Sequence, residues 1–480
     1  MNRYITTTLP YVNADPHIGF ALEIVKADVI ARTWHLAGDE VFFNTGTDEH
    51  GQKLWQEAVK RGIEPQAYVD EYAARFRLLK DKLDLYPDLH FIRTTDPHHE
   101  KAAQEFWKRC VASGDIYKKN YQVKYCVGCE LEKTDSDLVN DCCPLHTNSK
   151  IELIDEENYF FRFSKYQQQL LDLYSARPDF ILPDFRQNEI RLFVERGLQD
   201  FSISRLKEKM PWGIEVPGDT KHVMYVWFDA LVNYISTLGW PEDTVNFEKF
   251  WGTREQSNAI QIGGKDNLRQ QSAMWQAMLM SACLPSSKQI VIQGFVTSGG
   301  QKMSKSLGNV INPFDVVDEL GTDALRYVLL RHTSTFEDSD LTLEAIREHY
   351  TAHLTNGLGN LVARIMKLAE THLSEPVVRP EPAPFPQEYW DAIDAFEFNK
   401  AMDLIWSRIG ALDERIASEK PFAVVKEDLE KGRALIGEMV LELYTIARLL
   451  NPFMPATSET IKQAVLANKK PENLFPRLLT

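Results

Sequence analysis

The sequence predicts an α/β fold at the start of the chain and an all-α helical bundle at its end, with a metal-binding knuckle between them. Three observations carry this. Arg3 to Thr8 is β-branched and aromatic, Pro10 to Pro16 interrupts it, and Ile18 to Leu36 has the apolar spacing of a helix, a strand–loop–helix opening. From His353 onward, Leu354, Leu358, Leu361, Val362 and Ile365, and later Ile436, Met439, Leu443 and Ile446, recur three and four residues apart, as core seams of packed helices do. Of six cysteines, Cys126, Cys129, Cys142 and Cys143 fall in one short segment, while Cys110 and Cys283 stand alone among apolar residues.

The opening resembles the first unit of a nucleotide-binding, Rossmann-like fold. A Gly-containing turn there lets backbone approach a phosphate, and the helix that follows points its N-terminal dipole at the anion. His17-Ile18-Gly19-Phe20 falls on that turn. Alone it is weak, since a histidine beside glycine is more often a plain turn residue. Its distant partner is Gly299-Gly300-Gln301-Lys302-Met303-Ser304-Lys305-Ser306-Leu307-Gly308-Asn309, a dibasic segment with glycine on both sides. Two lysines on such a loop can close over a triphosphate and neutralise the charge that develops as pyrophosphate leaves.

The clustered cysteines suggest metal rather than disulfides. Cys126-Val-Gly-Cys129 turns two thiolates toward one point, and Cys143-Pro-Leu-His146 repeats the gap, so Cys126, Cys129, Cys143 and His146 form the expected tetrahedral zinc set. Cys142 competes with Cys143 for the third place, and a reduced, metal-free cluster is the plain alternative. Four protein ligands leave no position for water, which implies a structural zinc.

At 480 residues, 44% hydrophobic and 26% charged, the chain is too long for one small core, and two or three structural units are expected. The net charge of −15 argues against a general nucleic-acid coat and against DNA as a partner, while a local basic patch would still bind RNA. The start lacks the apolar run of a signal peptide and no stretch is long enough to span a bilayer, so a cytoplasmic protein without membrane attachment is expected. Five prolines between Pro376 and Pro386 mark a loop between helices.

With both phosphate motifs in order, the chain resembles the methionyl-tRNA synthetases, class I aminoacyl-tRNA synthetases, over essentially its whole length. The matching segments are Tyr11-Val12-Asn13-Ala14, Thr45-Gly46-Thr47-Asp48-Glu49-His50-Gly51, Ile203-Ser204-Arg205, Pro211-Trp212-Gly213-Ile214, Tyr225-Val226-Trp227-Phe228-Asp229-Ala230 and Gly264-Lys265-Asp266. The resemblance implies a Rossmann-like catalytic core over 1–115 and 213–349, a connecting insertion with the zinc knuckle over 116–212, and an anticodon-binding-like helical bundle over 350–480. It implies activation of an amino acid by ATP with Mg2+ to an aminoacyl-adenylate, followed by transfer to tRNA. By the same resemblance Asp48 holds the substrate's α-amino group, and Leu9, Tyr11, Trp227, Ala230, Tyr234 and Trp275 wall the methionine side-chain pocket. His17, Gly19, Gly264, Asp266, Lys302, Ser304 and Lys305 bind ATP, with His17, Lys302 and Lys305 at the reacting phosphates.

The chain departs from the family pattern at Phe20, where the family carries a histidine or asparagine, and at Asn267 and Gln271, where it carries an apolar residue and a histidine. The two amides would suit a polar side chain, or they satisfy one another or a water. Asp413 and Glu414 place negative charge where an RNA backbone would approach, with Arg408 or Lys420 available as compensating cations. The departures define a second reading, an adenylate-forming relative that activates a more polar amino acid and transfers it to a small molecule, for example a hydroxylamine in hydrazine-forming natural-product biosynthesis. An RNA-binding or regulatory protein without enzymatic activity is a third, disfavoured because Lys302, Lys305, Asp48 and Asp266 are all retained.

Overall fold

The computed structural model describes residues 1–478 except 130, 134–136, 146–150, 304–307 and 378–383. The chain divides into two compact units, one of Met1–Pro16, Trp34–Leu78 and Pro87–Gln293, the other of His17–Thr33, Leu79–Tyr86 and Gly294–Thr480.

The first unit is built on six parallel strands: β1 (Asn2–Thr7), β2 (Glu40–Thr47), β3 (Leu89–Arg93), β4 (Ile181–Leu182), β5 (Ala259–Gly264) and β6 (Gln289–Gln293). Their order is β3-β2-β1-β5-β6-β4. The chain therefore builds outward from β1 in one direction and later fills the other side, which makes the seam between β1 and β5 a topological switch point. Strands buried on both faces read as continuous apolar runs, as Ile290-Val291-Ile292 does, while Ala259-Ile260-Gln261-Ile262 is buried throughout with one amide among its apolar residues. The main core of this unit gathers Phe106 and Trp107 of the helix Pro97–Ala112 with Phe228, Trp240, Trp251 and Trp275. Each such buried side chain contributes about 1.5–3 kcal/mol.

Between β3 and β4 the chain leaves the parallel sheet for an antiparallel one. Ile116–Cys126 pairs with Ile151–Phe161 along its full length, from Ile116 opposite Phe161 to Cys126 opposite Ile151. A further three-stranded sheet follows, of Ser204–Leu206, Asp219–Met224 and Glu215–Val216.

In the second unit, a three-stranded sheet is formed by Val296–Ser298, Gln301–Lys302 and Ser339–Asp340, with the helices Pro313–Leu320 and Thr322–Arg331 between its second and third strands. The helical path from Leu343 runs through a wide π-helical stretch at Tyr350–Gly359 to His372, burying Leu354, Leu358, Leu361, Val362 and Ile365. The helix Leu429–Leu450 buries Ile436, Met439, Leu443 and Ile446, the second seam read from the sequence. Helix resumes at Gln387, past the proline-rich stretch. The helix Ile18–Leu36 matches its expected span, and its polar residues are accommodated individually. The buried ammonium of Lys26 donates to the Ser334 carbonyl at 3.0 Å, and burial pushes its pKa down to about 7. Asp28 accepts from Arg326 Nη2 at 2.7 Å, while the same guanidinium donates to the carbonyls of Leu83, Pro452 and Phe453. Among the described residues no helix is long and apolar enough to cross a membrane.

Candidate active site

Three adjacent strands end in expected substrate residues. β1 runs into Leu9 and Tyr11, β2 into Asp48, and β5, whose last residue is Gly264, into Asp266 and Asn267. Parallel α/β sheets bind ligands outside the carboxyl ends of strands at the switch point, so sheet order alone brings these residues to the crevice. The loops after β1 and β2 are joined by backbone: the Asp48 N–H donates to the Pro10 carbonyl at 3.0 Å, and the Val12 N–H to the Asp48 carbonyl at 3.2 Å.

The loop bearing Asp48 is fixed from behind. Arg93 donates to both oxygens of buried Glu49, Nε at 2.7 Å and Nη2 at 2.8 Å, and the hydroxyls of Thr47 and Thr95 donate to the same carboxylate. Trp212 Nε1 donates to the Glu49 carbonyl at 2.6 Å. His50 Nδ1 lies 3.1 Å from Oδ2 of Asp229, and both side chains are buried. Burial opposes the charge of His50, but the Asp229 carboxylate outweighs it and raises the imidazole pKa. Sequence reasoning gave these residues no role. Glu49, His50, Trp212 and Asp229 lie inside the matched segments, and that was the only available signal.

The expected pocket walls fall into two groups. Tyr11 and Trp227 pack with Tyr125, Val127, Tyr225 and Val226, whereas Tyr234 and Trp275 belong to the main core with ring centroids 5.9 Å apart. Ala230, on the short helix Val226–Ala230 with Trp227, receives the Asn233 side-chain amide on its carbonyl at 2.6 Å. Leu9 is half-buried in the loop after β1. Gln271 sits in a π-helical turn, Gln270–Met274, that leads into the helix Trp275–Ser281. Such turns collect at functional sites. The two amide departures do not satisfy one another: Asn267 Nδ2 donates to Asp266 Oδ1 at 3.2 Å, while Gln271, 1% exposed, has neither amide atom hydrogen-bonded among the described residues.

In the second unit, His17 opens the helix Ile18–Leu36. The Gly19 N–H donates to His17 Nδ1 at 3.1 Å, so Nδ1 holds the lone pair and Nε2 the proton. A Cβ on Gly19 would come within 3.0 Å of the imidazole, which explains the glycine. Phe20 is buried in the first turn, its N–H donating to the His17 carbonyl at 3.0 Å. The segment leading to Lys302 is a hairpin whose turn residues Gly299 and Gly300 have φ of 64° and 73°, a left-handed pair that favours glycine. Asp340 holds that turn, accepting from the Gly300 N–H at 2.8 Å and the Thr297 hydroxyl at 2.9 Å. Ser304 and Lys305 lie outside the described residues.

In the insertion, the sulfurs of Cys126, Cys129 and Cys143 lie within 4.8 Å of one another, with Cys129 and Cys143 at 3.4 Å. A tetrahedral zinc with sulfur ligands at about 2.3 Å spaces them about 3.8 Å apart, so the cluster fits three vertices. Burial pushes the Cys129 thiol up to about 12, so this sulfur ionises only with a cation beside it. Cys142 stands outside the group, and His146 lies outside the described residues. In the helical part, Asp413 is paired with Arg364 at 2.6 Å, and Arg408 is held bidentately by Glu442.

A family model described as tRNA synthetases class I (M) matches residues 3–152 and 128–366. A methionine–tRNA ligase of Thermosynechococcus vestitus is 41% identical over 472 residues, 95% of this chain and 88% of the relative. The chain belongs to the methionyl-tRNA synthetase family. Another member, the methionine–tRNA ligase of Thermotoga maritima, is 37% identical over 98% of this chain and 76% of its own length. Among solved structures, Mycobacterium tuberculosis methionyl-tRNA synthetase in complex with methionyl-adenylate superposes with a TM-score of 0.88 at 33% identity, covering 100% of this chain and 99% of that one. The apo form of that synthetase gives 0.82 at 31% identity.

Proposed function

We propose that this synthetase-family chain is a methionine–tRNA ligase, which activates methionine with ATP and passes the acyl group to the terminal adenosine of tRNA. The observation that carries the reading is the placement of Tyr11, Asp48 and Asp266 at the ends of β1, β2 and β5, at the switch point of a chain related along its length to methionine–tRNA ligases.

In this reading Asp48 pairs with the substrate ammonium, an interaction any α-amino acid satisfies. Tyr11, Trp227, Tyr234 and Trp275, with Leu9 and Ala230, surround the thioether, whose polarisable sulfur suits aromatic faces. Gly264 lets backbone approach the nucleotide, and Asp266 accepts from a ribose hydroxyl. The substrate carboxylate attacks the α-phosphorus of the ATP–Mg2+ complex, forming the mixed anhydride and breaking the bond to pyrophosphate. The Nε2–H of His17, the backbone at Gly19 and the side chains of Lys302, Ser304 and Lys305 meet the phosphates and neutralise the departing charge. A hydroxyl of the tRNA's terminal ribose then attacks the carbonyl and releases AMP. Cys126, Cys129, Cys143 and His146 would hold a zinc whose role is to fix the hairpin. The division into a catalytic core (1–115, 213–349), connecting insertion (116–212) and anticodon-binding-like bundle (350–480), and a cytoplasmic location, complete the reading.

Transfer of a more polar amino acid to a small molecule has no support among these relatives, which are named methionine–tRNA ligases. The deciding measurement is amino-acid-dependent ATP–pyrophosphate exchange across all twenty amino acids, followed by charging of methionine tRNA. Exchange with methionine and charging are expected, and Lys305→Ala should abolish exchange while the protein stays folded. Exchange only with a polar amino acid, and no charging, would overturn the assignment.

A further inference from the structure

The two halves of the amino-acid site come from segments far apart in sequence. Asp48 lies on the loop after β2, and Trp227 and Ala230 lie on the helix Val226–Ala230. A buried polar contact joins them. His50, two residues past Asp48, meets Asp229, the residue between Phe228 and Ala230, at 3.1 Å. Asp229 is fully buried, and His50 is 3% exposed.

We propose that His50 and Asp229 are positioning residues, a buried histidine–aspartate pair that holds the carboxylate of Asp48 at a fixed distance from the side-chain pocket and so sets affinity for the amino acid. The inference rests on the ligase reading in taking Asp48 as the group that meets the substrate ammonium and Trp227 and Ala230 as walls of the side-chain pocket.

The pair is suited to this because its neighbours leave it little freedom. Glu49, between Asp48 and His50, is held by Arg93, Thr47 and Thr95, and Trp212 packs on the His50 ring with centroids 5.5 Å apart while donating to the Glu49 carbonyl. With Glu49 pinned, the orientation of the loop follows from where His50 is anchored. Aliphatic residues could fill the same volume, but a directional contact between opposite charges specifies one register, whereas apolar packing tolerates several.

The charged groups facing the pair are Glu49 and Glu100, which favour the imidazolium. His99 also lies close, kept neutral by burial with its Nδ1 at 2.8 Å from the Ser236 hydroxyl. Arg93 is already committed to Glu49 and Asp70. The raised pKa of His50 gives the sign. The pair is intact below it, and as pH rises through it the imidazole loses its charge and Asp229 keeps a buried carboxylate with a weaker partner.

The test is steady-state ATP–pyrophosphate exchange with the full chain at several pH values, for wild type, His50→Gln and Asp229→Asn. Each substitution is expected to raise KM for the amino acid by about tenfold or more, with KM for ATP moving by less than about twofold, because a small displacement of an aligned group acts on the ligand it aligns. In wild type, KM for the amino acid should rise on the alkaline side, and His50→Gln should flatten that rise. Parallel changes in both KM values, or no change, would overturn the proposal. The wild-type pH profile needs no variant, so a pH-independent KM overturns it even if both substitutions unfold the protein. The amino acid is whichever one supports exchange. A failed methionine assignment therefore shows as exchange with another amino acid, while a failed positioning role shows as an unmoved KM for that same amino acid.

Discussion

The side-chain amide of Gln271 lies so close over the backbone of Gly263 that a Cβ on that glycine would come within 2.6 Å of Nε2. Gly263 and Gly264 end β5, so this contact puts a buried amide at the switch point, beside the Thr8 methyl group and a few residues from Asp266. Asn267 has Asp266 as its partner, but neither amide atom of Gln271 is hydrogen-bonded among the described residues. Leaving a buried amide unmade costs about 1–3 kcal/mol.

The consequence is testable in the free protein. Gln271→Leu keeps the volume and removes the unmade hydrogen bonds, so it should raise stability by about 1–2 kcal/mol in urea unfolding. It should also alter KM for the amino acid in exchange assays, since the residue flanks the expected substrate site. A loss of stability would mean that Gln271 is satisfied in solution and that its departure from the family pattern is neutral for folding.

The cysteine cluster makes a sharper prediction, because two adjacent cysteines are placed differently. Cys143 is buried with its sulfur 3.4 Å from that of Cys129, whereas Cys142 stands outside the group and instead pairs its backbone with Val139. Metal analysis of the purified protein should find about one zinc per chain, the number one tetrahedral site holds. Cys126→Ser, Cys129→Ser and Cys143→Ser should each remove it, and Cys142→Ser should retain it. His146→Ala should weaken binding if that residue supplies the fourth ligand. Zinc retained in Cys143→Ser but lost in Cys142→Ser would reverse the assignment.

Local signals were legible in the sequence and distant pairings were not. The helix Ile18–Leu36, the first strand and the two apolar seams of the bundle each express a period of 3.6 or 2 within one short window, and each is found there, although Leu354 and Leu358 of the first seam lie in the π-helical stretch Tyr350–Gly359 rather than in an α-helix. The convergence of Cys126 and Cys129 was legible from their two-residue gap, while the gap from Cys143 leads to His146, which lies outside the described residues. Sheet order was not, because nothing within β1 or β5 records that they become neighbours across a separation of more than two hundred residues. The same holds for His50 and Asp229, 179 residues apart, and for Asp28 and Arg326, 298 apart. Such residues read as ordinary surface charges until the fold buries them together. Gln271 stands out in the sequence as a departure from the family pattern, but its lack of a bond to Asn267 depends on the π-helical turn, which has no sequence period of its own.

Three imidazoles in the helical unit tie stability to pH. His332 and His349 stack with centroids 3.6 Å apart and planes within 7°, and His353 lies parallel to both, within 9° and 17°. The donor set resembles a metal site, since one nitrogen from each lies within 4.8 Å of the others. An imidazole holds a metal in the plane of its ring, however, and parallel planes this far apart cannot share one ion. The trio is instead arranged for neutral rings. The Tyr327 hydroxyl accepts from Arg331 Nη1 at 2.8 Å and lies 3.0 Å from His332 Nε2 and 2.7 Å from His353 Nδ1. A hydroxyl has one proton and two acceptor sites, so with Arg331 on one site it serves one N–H and one ring lone pair. Two imidazolium rings would both present N–H there. Burial, with the other histidines and Arg331 adding to it, pushes His332 down to about 3 and lowers His349 and His353; Glu348 partly offsets the effect on those two. A histidine whose folded pKa is depressed leaves the unfolded chain holding more protons below the ordinary value of about 6.5, so folded stability falls as pH drops from there. Unfolding free energies from urea titrations between about pH 7 and pH 5 should decline, by about 1 kcal/mol or less per pH unit for each responsive ring after solvent screening. His349→Phe keeps a flat ring in the stack without a titrating group, and should reduce the decline while leaving the pH 7 midpoint nearly unchanged. A decline of the same size in His349→Phe would place the acid sensitivity elsewhere in the chain.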